Sequence, residues 1–100
     1  MARLKNIHPG EVLKEEFLVP IGISVYRIAK ETGLSQTRLG QIIRGERSIT
    51  AETAIVIGRF LNTGPEFWMN LQALCDLEEA SRRLGRKIEN IHPYSPANAA

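Results

Sequence analysis

IAKETGLSQTRLGQIIRGER, residues 28–47, reads as two short helices joined by a tight turn, and the rest of the chain can be ordered around it. Ile28 and Ala29 face inward from the first helix, and Ala29 must be small if the two helices are to cross closely. Gly33 supplies a turn whose positive φ only glycine adopts cheaply. Ser35 is a helix N-cap, and Leu34, Leu39, Ile42 and Ile43 fasten the second helix, residues 36–43, to the interior. Gln36, Thr37, Arg38, Gln41 and Arg44 are left pointing outward. Two helices set at a steep angle across a glycine turn form a helix-turn-helix.

An exposed face of this kind suits the DNA major groove, where a recognition helix reads base edges mainly with its N-terminal residues. Gln pairs bidentately with adenine and Arg with guanine, while Thr offers a hydroxyl and a methyl. Gln36, Thr37, Arg38 and Gln41 are therefore the expected base readers. Ser35, at the helix start with its unpaired N–H groups, can hold a phosphate. Arg44, Arg47, Ser48 and Thr50, in the following loop and helix start, are expected on the DNA backbone.

Outward from this core, three further helices can be placed. Pro9 suits the first turn of a helix after His8, with Val12, Leu13, Phe17 and Leu18 inward and Lys14, Glu15 and Glu16 outward; Pro20 and Gly22 are expected to end it. Ser24 caps the helix at about 25–31. Thr50 caps a helix at 51–61, with Ala54, Ile57, Phe60 and Leu61 inward. Thr63 to Glu66 reads as a capping box with Pro65 in the first turn, opening a long fifth helix that runs to Leu84, with Gly85 at its end. No alternating strand pattern of useful length occurs. The expected organisation is a domain over residues 1–85 and a loosely ordered tail over 86–100.

Composition agrees with one all-helical globular domain. The chain has 100 residues, 43% of them hydrophobic and 24% charged, which excludes a wholly disordered polymer. No apolar run approaches the roughly 18 residues that cross a membrane, and the first residues lack the apolar segment of a secretory signal. One cysteine, Cys75, cannot form an internal disulfide, so a reducing, cytoplasmic setting is expected. Residues 1–50 hold eight Lys/Arg against five acids, and residues 51–100 five against six. The basic half is the one that carries the reading helix, as an anionic partner requires. Two histidines and one cysteine have no metal-ligand spacing, and no Ser/His, Cys/His or paired-acid arrangement supports catalysis. Neither an enzyme, a small-molecule substrate, a cofactor nor a metal is expected.

The helix-turn-helix resembles the Xre/Cro, lambda-repressor-like domains. IHPGEVLKEEFLVPIGISVYRIAKETGLS (7–35) and RGERSITAETAIVIGRFLNTGPEFWMNLQALCDLEEA (44–80) are similar, more closely, to the HigA antitoxins of bacterial toxin–antitoxin modules. HPGE, KEEF and GPEFWMNLQ are the more specific parts. The resemblance implies a five-helix fold with an extended fifth helix. It further implies a dimer on double-stranded operator DNA, repression of the protein's own operon, and neutralisation of a HigB-like toxin, a ribosome-dependent mRNA endonuclease. A stand-alone phage- or plasmid-type repressor is the other reading. Many Xre relatives place Gln where this chain has Val25; here Ser24, Tyr26 or Arg27 would have to supply that phosphate contact.

The fifth helix carries a wide apolar arc. Core is the ordinary reading for Phe67 and Leu71. Phe67 and Trp68 lie about 100° apart on a helix, however, so part of the arc is expected to meet a second copy. Trp68, Leu71, Leu74 and Cys75 are the expected dimer residues, with Cys75 a packed rather than reactive thiol. A symmetric dimer would set two reading helices about one DNA turn apart on an inverted repeat.

Overall fold

The computed structural model describes residues 6–98. Within them lie five main helices, two short 3-10 stretches and no strand. The first, α1, is continuous from Pro9 to Ile21 but changes pitch: α-helical over Pro9–Val12, π-helical over Leu13–Leu18 and α-helical again over Val19–Ile21. It is followed by α2 (Val25–Thr32), α3 (Gln36–Ile43), α4 (Ala51–Phe60) and α5 (Pro65–Leu84).

The helix ends where Pro20 and Gly22 were expected to end it, with Pro20 inside the last turn, and the π-turn makes room for it. An internal proline removes one helical N–H and crowds the carbonyl four residues back. A turn widened to i→i−5 bonding, such as that from Val19 N–H to the Lys14 carbonyl, relieves that crowding upstream of Pro20. It also brings Leu13 and Leu18, five residues apart, into the interior together. The helix ends at Ile21, and Gly22 caps it in the left-handed region at φ 80°.

Each remaining boundary has a local cause. The Ser24, Ser35 and Thr50 hydroxyls accept from the N–H groups of Arg27, Arg38 and Thr53, three N-caps worth about 1 kcal/mol each. Gly33 closes α2 at φ 81°. The expected capping box before α5 is absent. Gly64 is its N-cap residue, without a side-chain hydrogen bond, and the Thr63 hydroxyl instead accepts from the Trp68 indole N–H at 2.8 Å. A buried Trp68 needs an acceptor for that N–H, and Thr63 provides it.

The core gathers Leu13, Leu18, Ile28, Ala29, Leu34, Leu39, Ile42, Ile49, Ala54, Ile57 and Trp68. Phe17, Phe67 and Trp68 pack edge-on or tilted, with ring centroids 4.9–6.0 Å apart, and join α1 to α5. Two glycines allow backbones to touch. A Cβ on Gly10 would overlap the Ile42 carbonyl, so α1 starts directly against the end of α3; a Cβ on Gly58 would press on the Gly64 backbone, where α4 meets the start of α5. Beyond Leu84 the chain continues as an exposed tail. It forms 3-10 turns over Gly85–Asn90 and Pro96–Asn98, and none of residues 85–97 is buried. The final two residues of the expected tail lie outside the described residues.

Candidate nucleic-acid interface

The site is assembled from the reading helix α3 and the loop that follows it. Leu39 and Ile42 are fully buried, which fixes the rotation of α3 and turns Gln36 and Thr37 outward; both are exposed, with Arg38 and Gln41 half-buried. Ser35 Oγ accepts from Arg38 N–H at 3.0 Å. That leaves the Ser35 hydroxyl hydrogen and the first N–H groups of α3 free to donate to an anion.

The loop is shaped by Gly45, at φ 76°, and by two backbone bonds, from Gly45 N–H to the Ile42 carbonyl and from Glu46 N–H to the Gln41 carbonyl. These fold the loop back along α3. Arg47 Nη1 then donates to Gln41 Oε1 at 3.1 Å, and Arg44 lies across Gly40 and pairs with Glu46 at 3.1 Å. The exposed Arg44–Glu46 pair is weak and can open for a phosphate. Residues 24–50 hold five Lys/Arg against two acids, so the surface is positive where the expected contacts lie.

Other expected contacts are placed less uniformly. Ser24, Tyr26 and Arg27, at the start of α2, are exposed. Ser24 caps its helix and Arg27 pairs with Glu31 at 3.7 Å. Ser48 is exposed. The Thr50 hydroxyl is engaged within the chain, accepting from Thr53 N–H and donating to Thr53 Oγ1 at 3.2 Å, so a phosphate contact there would have to displace an internal bond.

The expected dimer residues divide. Trp68 is fully buried and Cys75 is 6% exposed, so both belong to this chain's own interior, and their assignment to a seam is corrected. Trp68, Gln72 and Cys75, spaced four and three apart, form the face of α5 that packs on the domain. Leu71 is partly buried against the core. Leu74 is 65% exposed and Leu77 64% exposed. Burial raises the Cys75 thiol above its ordinary pKa, which keeps it protonated and unreactive.

Sequence reasoning missed three residues that hold the site. His8 caps α1, its Nδ1 accepting from Gly10 N–H at 2.9 Å, and its ring packs beside Gly45. Partial burial lowers its pKa below the ordinary value near 6.5, against the raising effect of Asp76, the Arg47 backbone, Glu79 and Glu11. Gly10 permits the contact of α1 with α3, and Gln72 reaches the loop from α5. A polar residue in register with Trp68 was the one available signal for Gln72. Among the described residues no cluster of three or more His, Cys, Asp or Glu could hold a metal ion, and no described helix is long and apolar enough to cross a membrane.

With this geometry in hand, comparison with known proteins is informative. The family HTH_3, Helix-turn-helix, matches residues 13–68. Virulence-associated protein I of Dichelobacter nodosus is 41% identical over 76 residues, covering 76% of this chain and 70% of that protein. Antitoxin HigA-1 of Vibrio cholerae is 34% identical over 89 residues, covering 89% of this chain and 84% of that protein. The solved structure of Pseudomonas aeruginosa antitoxin HigA with higBA promoter superposes with a TM-score of 0.87 at 39% identity, covering 91% of this chain and all of that one. The five helices, the capped reading helix and these likenesses agree that the chain belongs to the HTH_3 helix-turn-helix family and, within it, to the HigA antitoxins.

Proposed function

We propose that this protein is the antitoxin of a type II toxin–antitoxin module, which binds its own operator through α3 and neutralises a HigB-like mRNA-cleaving toxin. The observation that carries the DNA-binding half is the reading helix: a buried Leu39–Ile42 stripe, a Ser35 cap, and an outer face of Gln36, Thr37, Arg38 and Gln41 beside a basic loop. A similar protein solved with its promoter supports DNA binding. The antitoxin half is supported by likeness to proteins named HigA.

In this reading Gln36, Thr37, Arg38 and Gln41 read base edges. Ser24, Tyr26, Arg27, Ser35, Arg44, Arg47, Ser48 and Thr50 hold the DNA backbone. Arg47, held beside Gln41 before DNA arrives, couples the two sets. The protein acts as a cytoplasmic homodimer on an inverted repeat, with Leu74, Leu77 and Leu84 of α5 supplying the seam. These three are exposed within one chain and fall within about 80° of one another on the helix. Unpartnered leucines on one face are what a self-complementary interface covers.

The test is a gel-shift titration against the protein's own promoter over a salt series, with an Arg38→Ala/Gln41→Ala double variant, alongside co-expression with the neighbouring reading frame. Salt-dependent binding that the variant loses, with rescue of growth from the neighbouring toxin, is expected. Binding without a toxin to neutralise would make the protein a stand-alone repressor. No binding, with or without the neighbouring product, would sink the DNA-binding reading.

A further inference from the structure

We infer that Gln72 of α5 is a positioning residue for DNA binding, holding the loop that carries Arg47 in the shape the phosphate backbone requires. The inference rests on the DNA-binding reading above and adds to it a residue far from the reading helix in sequence. Gln72 is 5% exposed, and both ends of its carboxamide are used. Oε1 accepts from Ile49 N–H at 2.8 Å, and Nε2 donates to Asp76 Oδ1 at 2.8 Å.

The location gives this pair of bonds its consequence. Arg44, Gly45, Glu46, Arg47 and Ser48 are exposed, and the next residue, Ile49, is buried with its side chain in the core. Glu46 N–H is tied to α3 through the Gln41 carbonyl, and Ile49 N–H is tied to α5 through Gln72. Arg47 and Ser48 lie between those two anchors, with the Arg47 backbone also hydrogen-bonded to His8. His8 packs beside Gly45 on the same side, and His8, Gly45, Arg47, Ser48, Gln72 and Asp76 line one small polar hollow.

Opposite the Asp76 carboxylate only a neutral amide fits the position. A glutamate would turn a carboxylate toward the Asp76 carboxylate, and an apolar residue would leave the Ile49 N–H buried without an acceptor. An arrangement that needs a donor and an acceptor on opposite sides of one buried group is specific to Gln, and its effect is felt at Arg47 rather than at the core.

The experiment compares the full-length wild type, Gln72→Met, the exchanged pair Gln72→Glu/Asp76→Asn, Arg47→Ala and Arg47→Ala/Gln72→Met. Affinity for the promoter is measured across a salt series, and amide exchange at Ile49 is followed by NMR. Gln72→Met keeps the shape of the side chain. It is expected to speed Ile49 exchange about 10-fold while the α3 amides stay protected. It should weaken operator binding about 5- to 10-fold and lower the salt slope by about 0.9, the share of one phosphate contact.

In the Arg47→Ala background Gln72→Met should change affinity less than about 2-fold, because the two act on one contact. The exchanged pair restores an acceptor for Ile49 and a donor between the two side chains, so it should return exchange and affinity to about wild type. A merely structural role would lower stability, leave the slope untouched and make the effect additive with that of Arg47→Ala; that result in Gln72→Met overturns the inference, as does, should Gln72→Met not fold, an exchanged pair in which Ile49 exchange and operator affinity fail to move together. Wild type that fails to bind would bring down the DNA-binding reading and this one with it. Wild type that binds, with an unchanged slope in folded Gln72→Met, brings down this one alone.

Discussion

The reading helix α3 and the long helix α5 each bury one stripe and expose the rest, yet they use their surfaces in opposite ways. In α3 the stripe is apolar, Leu39 and Ile42, and the exposed face is polar. In α5 the buried stripe includes the amide of Gln72, while Leu74 and Leu77 are about two-thirds exposed. A short helix between a serine cap and a glycine turn has one way to face the core. A long helix with apolar residues around a wide arc has several, and the partner surface chooses among them. Polarity therefore marks the exposed face of α3, whereas in α5 hydrophobicity marks both the packed face and the exposed one.

The sharpest way to break that contrast is Trp68→Ala. If Trp68 is interior to one chain, its loss should reduce unfolding free energy by about 3–5 kcal/mol in urea denaturation. A variant of near-normal chain stability that only dissociates would return Trp68 to a seam between copies. On the other helix, Arg38→Ala should leave stability within about 0.5 kcal/mol and cost about 1–3 kcal/mol of operator affinity, with specificity relaxed at one base pair. Equal weakening on every sequence would make Arg38 a phosphate contact.

The exposed face of α5 gives a third comparison. Leu74→Glu/Leu77→Glu should convert a dimer to monomer in sedimentation equilibrium while changing chain stability by no more than about 0.5 kcal/mol per site. A monomeric wild type, or a variant that still dimerises, would remove α5 from the interface.

The smallest effect concerns His8, which lies beside the loop after α3 and faces Asp76 and Glu79 of α5. Burial holds the His8 pKa below its ordinary value near 6.5, so the folded state favours the neutral ring and the unfolded state takes up the proton first as pH falls. His8 then contributes stability that is complete above about pH 6.5 and is lost as pH falls through its lowered folded value. Protonation at Nδ1 would also remove the acceptor for Gly10 N–H. Thermal melts of the wild type at pH 7.5 and 5.5 should differ more than those of His8→Asn, which keeps an acceptor but does not titrate. Equal differences would show that His8 has no part in the acid sensitivity.

Much of the fold was legible because its signals are local. Ser24, Ser35 and Thr50 cap the helices they were expected to cap, Gly33 makes the turn, and Pro65 opens α5. Each depends only on neighbours within one turn. The features that were not legible depend on what lies across a gap. The Thr63–Glu66 pattern satisfies the rule for a capping box, yet the Trp68 indole takes the Thr63 hydroxyl. Pro20 and Gly22 mark the end of α1, yet no neighbour announces the π-turn that precedes them.

The sequence by itself determined that this chain is helical, that residues 28–47 form a helix-turn-helix, and that Gln36, Thr37, Arg38 and Gln41 stand on its outer side. Caps, glycine turns and the spacing of apolar residues suffice for that, since they act within a few residues. Only the tertiary structure decided that Gly10 must be bare against Ile42, that Trp68 and Cys75 turn inward while Leu74 and Leu77 do not, and that Gln72 holds Ile49 from 23 residues away. Close approach, burial and a hydrogen bond between distant residues are properties of pairs, and only the folded chain decides which pairs meet.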